Sequence, residues 1–97
     1  MKIENIELYY LSMPEILDEA DGSQDALIVK VEAGGLVGWG ECEASPLTSI
    51  ANFICPKSHS AANPIRDSVI NQNINDLNDV KKIIETVKHR SLMIAQT

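Results

Sequence analysis

The stretch LIVKVEAGGLVGWGE, residues 27–41, decides the fold. Leu27, Val29, Val31 and Ala33 fall on one side of an extended chain, with Lys30 and Glu32 on the other. This is the period-two pattern of a strand with one buried face. A second β-rich run, LVGWGEC (36–42), follows after only Gly34-Gly35. Two-residue turns whose twist matches the flanking strands need positive φ, which glycine adopts at little cost, so the pair predicts a β-hairpin. A phosphate-cradling loop fails on spacing. Gly35, Gly38 and Gly40 read G-x-x-G-x-G, not G-x-G-x-x-G; no helical pattern opens directly after them and no Gly-Lys-Ser/Thr appears. Gly38 and Gly40 lie two apart on one strand face, where close packing by another backbone or a bulky side chain is expected.

Working outward, IENIELYYL (3–11) alternates Ile6, Leu8 and Tyr10 with Glu7, Tyr9 and Leu11 and predicts a further strand. Downstream the period changes. NPIRDSVI (63–70) places Asn63 as an N-cap and Pro64 at the first helical position. In DLNDVKKIIETVKHRSLMI (76–94), Leu77, Val80, Ile84, Val87, Ser91 and Ile94 recur at three- and four-residue steps, widened by Ile83. Asp76 suits its cap, Asp79 its first turn, and Lys88, His89 and Arg90 its C-terminal end. A short helix is expected around 47–53. The fold class is α+β, a three-stranded antiparallel meander (1–43) followed by a small helical part (44–97), in one domain.

Hydrophobic residues make up 44% of the 97 and charged residues 23%, the balance of a folded domain with a modest core. The net charge of −6 argues against nucleic acid as a partner. No apolar run reaches the roughly 18 residues that cross a bilayer. Glu4 and Glu7 interrupt what a signal peptide keeps apolar, so a cytoplasmic location without membrane partners is expected. Cys42 and Cys55 have neither CxxC nor zinc-knuckle spacing and read as reduced structural thiols.

Two connections are long for so small a domain: SMPEILDEADGSQD (12–25) and ASPLTSIANFICPKSHSAAN (44–63). Long connections in compact domains commonly carry function. In the first, Glu15, Asp18, Glu19, Asp21 and Asp25 form an acidic loop, expected to be solvated and without the ligand spacing of a calcium loop. Glu41 is expected to hydrogen-bond neighbouring backbone. The apolar stripe runs on into LMIAQT (92–97) without a helix stop signal, the pattern of a truncated protein.

The ordered set Met1-Lys2-Ile3, Leu27 to Val31 and Gly35 to Glu41 resembles the N-terminal capping domain of the enolase superfamily, in its mandelate racemase and muconate lactonizing enzyme group. SPLTSIANFICPKSHSAANPIRDSV (45–69) is similar to members acting on sugar acids. The resemblance covers nearly the whole chain. It implies a Mg²⁺-dependent lyase or isomerase in which the metal holds a carboxylate substrate, a Lys or His removes the α-proton, and the metal stabilises the enediolate. Racemisation, dehydration or cycloisomerisation follows in different members.

The family's metal ligands and bases lie on a (β/α)₈ barrel that follows this domain and is absent from the chain. None of these 97 residues matches one, so no catalytic or metal-binding residue is assigned. The resemblance implies a lid whose two long connections fold over the barrel mouth and contact a carboxylate or sugar acid. Lys57, Ser58 and His59 are the candidate substrate-binding residues. Trp39 is expected in the core or packed against the adjoining domain, and the full enzyme is expected to be a homo-oligomer. The chain alone is not expected to be an active enzyme. The alternative is a stand-alone, non-catalytic α+β binding module derived from the same domain.

Overall fold

A computed structural model of the chain describes residues 1–15, 24–42, 45–58, 60 and 63–90. Strands β1 (Ile3–Leu11), β2 (Ala26–Ala33) and β3 (Leu36–Cys42) form an antiparallel sheet in that order. The alternation in the sequence becomes a register. Ile6, Leu8 and Tyr10 stand opposite Val31, Val29 and Leu27, which in turn face Gly38, Gly40 and Cys42. One face of the sheet is therefore apolar, and the other carries Glu7, Lys30 and Trp39 in a row. Gly34 and Gly35 turn the hairpin at φ 55° and 79°, both in the left-handed region. A Cβ on Gly34 would lie 2.7 Å from Met1 Cγ, so the turn also needs glycine for space.

Three helices follow: α1 (Pro46–Ile54), α2 (Ile65–Val69) and α3 (Leu77–Arg90). Asp76 caps α3 as its position predicts, accepting the Asp79 amide at 3.0 Å. Asp79 answers by accepting the Asn75 amide at 2.8 Å, a reciprocal arrangement of the capping-box kind. Of the longer helical pattern, residues 91–94 lie outside the described residues.

Asn63 does something else than cap α2. The N-cap of α2 is Pro64, with no side-chain capping bond, and the helix starts one residue later than expected. The buried Asn63 side chain instead donates to the carbonyls of Ser60 and Arg90, both at 2.9 Å, so it closes the C-terminal end of α3. The last carbonyls of a helix lack intrahelical donors, and a tertiary contact has supplied one.

The segment after α2 is laced to the start of the chain. Asn71, at φ 67°, turns the backbone out of the helix; its amide then donates to Ile3 O at 2.8 Å. The Ile3 amide donates to Gln72 O at 2.8 Å and the Ile74 amide to Met1 O. Ile3 and Ala33, both buried, form the core at this turn end, while Leu27, 2% exposed, is its most enclosed residue near the opposite end. Between sheet and helices lies an open apolar groove of about 480 Å³, lined by Ile3, Val31, Val80, Ile83 and Val87 among others.

Among the described residues no atom lies within 4 Å of a Cβ built on Gly38 or Gly40, so the close packing expected there is not supplied by them. Trp39 is 63% exposed, which excludes the core and leaves packing against an adjoining domain as the remaining expectation. The strand lies at the sheet edge, paired on one side to β2.

Candidate functional site

Antiparallel pairing brings both long connections to one rim. Leu11 faces Ala26, and Leu27 faces Cys42, so the segment 12–25 and the chain leaving β3 depart from the end of the sheet opposite the Gly34-Gly35 turn. Loops on the rim of a hydrogen-bonded sheet are where binding residues commonly sit.

The base of the first connection is fastened. The Tyr10 hydroxyl donates to Asp25 Oδ2 at 2.5 Å, and the Met13 amide donates to Asp25 Oδ1 at 2.7 Å. Asp25, the residue before β2, is thus a double acceptor tied to Tyr10 near the end of β1 and to Met13 just beyond it, where a solvated charge was expected. Its carboxyl is held below the ordinary carboxylate value, first by the Tyr10 hydroxyl and then by the Met13 amide. The Tyr10 hydroxyl is correspondingly pushed up, chiefly by its bond to Asp25. At the second connection, Cys42 Sγ lies 3.3 Å from Ser49 Oγ and ties the end of β3 to α1.

Lys57 and Ser58 follow α1 and are exposed; His59 lies outside the described residues. The nine-residue helix, rising about 13 Å, intervenes between the end of β3 and these side chains. Of the acidic positions in the first connection, Glu15 is exposed and Asp18, Glu19 and Asp21 lie outside the described residues.

The polar face of the sheet carries a charged cluster. Lys30 Nζ lies 3.0 Å from Glu32 Oε1, 3.9 Å from Glu7 Oε2 and 5.8 Å from the Trp39 ring centroid. The Tyr9 hydroxyl donates to Glu7, and its ring lies 6.1 Å from that of Trp39. The bond from Tyr9, with Lys30 nearby, lowers the Glu7 carboxyl; the same bond raises the Tyr9 hydroxyl; and Glu32 raises the Lys30 ammonium. Solvent-exposed pairs of this kind contribute about 0–1 kcal/mol, so the cluster shapes the surface more than it stabilises the fold.

Among the described residues no three His, Cys, Asp or Glu side chains converge to hold a metal ion, and no helix is long and apolar enough to cross a membrane. The Asp25 clasp was not foreseen from the sequence. Its signal is a tyrosine at the end of one strand and an aspartate just before the next, separated by the connection that they close.

No family model matches the chain, and no curated protein matches it. Among solved structures, the chain is similar to one described as the crystal structure of a predicted mandelate racemase from Rhodobacter sphaeroides, with 54% identity over 98% of the chain and a TM-score of 0.91. The chain spans 24% of the length of that protein.

Proposed function

We propose that this chain, which has the sequence and fold of the N-terminal capping domain of the enolase superfamily's mandelate racemase group, serves as the lid and substrate-specificity domain of a Mg²⁺-dependent enzyme that abstracts the α-proton of a carboxylate substrate. The observation that carries the reading is the 54% identity along almost the whole chain to one quarter of a much longer racemase-like protein. The exit of both long connections from one rim of the sheet supports it, since a lid needs its loops on a common side.

The reaction divides between domains. Mg²⁺ and the base belong to a barrel, where the metal supplies stabilisation of the charge that develops as the proton leaves. On this reading the metal ligands and the base lie outside this chain, and its own residues hold and shield the substrate. Its part is to exclude water and to contact the distal end of the substrate, with Lys57, Ser58 and His59 as candidate groups for a hydroxylated acid. The exposed Leu36, Val37, Trp39 and Leu77 favour a domain that packs against further protein over a self-sufficient module.

The test is a chimera in which this chain replaces the corresponding first quarter of the racemase neighbour. With Mg²⁺ in D₂O, the chimera is expected to exchange the α-proton of at least one sugar acid, read by proton NMR. A folded chimera that exchanges none of the acids processed by the unaltered neighbour would overturn the reading.

A further inference from the structure

We infer that Asp25 is a positioning residue, a clasp that fixes the base of the β1–β2 connection on the sheet and so sets where that connection departs. The inference rests on the lid reading for its consequence but not for its test.

Three observations carry it. First, the two acceptor oxygens of one carboxylate are divided between the two partners: Oδ2 takes the Tyr10 hydroxyl and Oδ1 the Met13 amide. The bond from Tyr10 reaches across the strand pair, and the bond from Met13 reaches across the connection itself, twelve residues along the chain. Second, the clasp extends the closure beyond the backbone ladder. Pairing of β1 with β2 ends at Leu11 and Ala26; the Asp25 carboxylate carries the junction on to Met13. Third, the clasp stands at the rim from which the other connection also leaves, where Cys42 and Ser49 meet at 3.3 Å. Both connections thus depart from fixed points of one sheet end.

The chemistry of the position is specific. A carboxylate accepts two hydrogen bonds in diverging directions and donates none, which suits one amide and one hydroxyl at once. Asparagine keeps one acceptor oxygen and replaces the other with a donor, so it preserves one of the two bonds; alanine preserves neither. Bonds to a charged acceptor are about twice as strong as those between neutral groups, so their loss is measurable at the surface.

Amide hydrogen exchange in the 97-residue chain tests the clasp. In the unaltered chain the Met13 amide is expected to be protected. Asp25→Ala should speed its exchange roughly tenfold, the scale of one lost hydrogen bond to a charged group, while the amides of Val29 and Val31 in the sheet keep their rates. Asp25→Asn should restore part of the protection, and Tyr10→Phe should produce a smaller loss than Asp25→Ala. A Met13 amide that exchanges equally fast in the unaltered and Asp25→Ala chains would overturn the inference. So would sheet amides that accelerate in step with Met13, because Asp25 would then be a general stabiliser. Should Asp25→Ala fail to fold, the comparison of Asp25→Asn and Tyr10→Phe with the unaltered chain decides the same question. An inactive chimera speaks against the lid reading and leaves these exchange rates unaffected, so the two failures are distinguishable.

Discussion

Strands β2 and β3 are hydrogen-bonded along seven residue pairs, yet their surroundings differ sharply. β2 is buried or half-buried at every position, between β1 and β3. β3 is exposed at every position but Cys42, and it carries Leu36, Val37 and Trp39. An edge strand with apolar side chains and an unpaired backbone edge invites cover by another protein surface. The difference teaches that β2 belongs to the folding of this chain, whereas the apolar residues of β3 stay exposed among the described residues. Under the lid reading, the remainder of the enzyme covers them.

The largest expected contrast uses one substitution at two places. Leu27, 2% exposed, should lose about 2–5 kcal/mol of stability on change to alanine, the range for emptying a buried leucine site. Leu36, 62% exposed, should lose no more than about 0.5 kcal/mol on the same change. Denaturant midpoints measure both, and equal losses would break the comparison.

A smaller contrast comes from the glycines. Gly34→Ala places a side chain at positive φ and against Met1, and should cost about 1–3 kcal/mol. Gly38→Ala meets open space and relieves a glycine in a strand interior, so it should be neutral or stabilising by up to about 1 kcal/mol in the isolated chain. In the chimera, where β3 would be covered, Gly38→Ala is expected to lose that benefit. Thermal melts of the two forms sharpen the comparison.

Smaller still is the pH response of the clasp. The folded Asp25 carboxyl titrates below its ordinary value of 3.8. Its contribution is therefore present above that value and lost as pH falls through the lower, folded one. Carboxyl NMR shifts should show Asp25 titrating below 3.8 as acid is added, with the Tyr10 ring signals following it. Titration of Asp25 at an ordinary carboxylate value would contradict the clasp.

Local pattern made the sheet legible. The alternation of Leu27, Val29, Val31 and Ala33, and the Gly34-Gly35 turn, depend on strand period and backbone sterics that act within a few residues. The cap of α3 by Asp76 was legible for the same reason. Asn63 was misread because its partner, the Arg90 carbonyl, is 27 residues away and only tertiary structure brings them together. Trp39 was expected in the core or against an adjoining domain, and it stands 63% exposed beside Tyr9 and Lys30, while a Cβ on Gly38 or Gly40 meets no described atom within 4 Å. The candidate site was legible as two long connections but not as a common rim, which needs the strand register. Asp25 was hidden among acidic neighbours, since composition does not distinguish a carboxylate with two donors from one facing water.

The central claim is that this domain selects the substrate of a larger enzyme, and kcat/KM across a panel of sugar acids tests it most directly. The chimera and the unaltered racemase neighbour share every residue of the barrel and differ in the lid. The account predicts that their order of preference among the acids differs, and that transplanting residues 12–25 and 44–63 into the neighbour moves its preference toward that of the chimera. An unchanged order of preference, in enzymes of comparable activity, would contradict it.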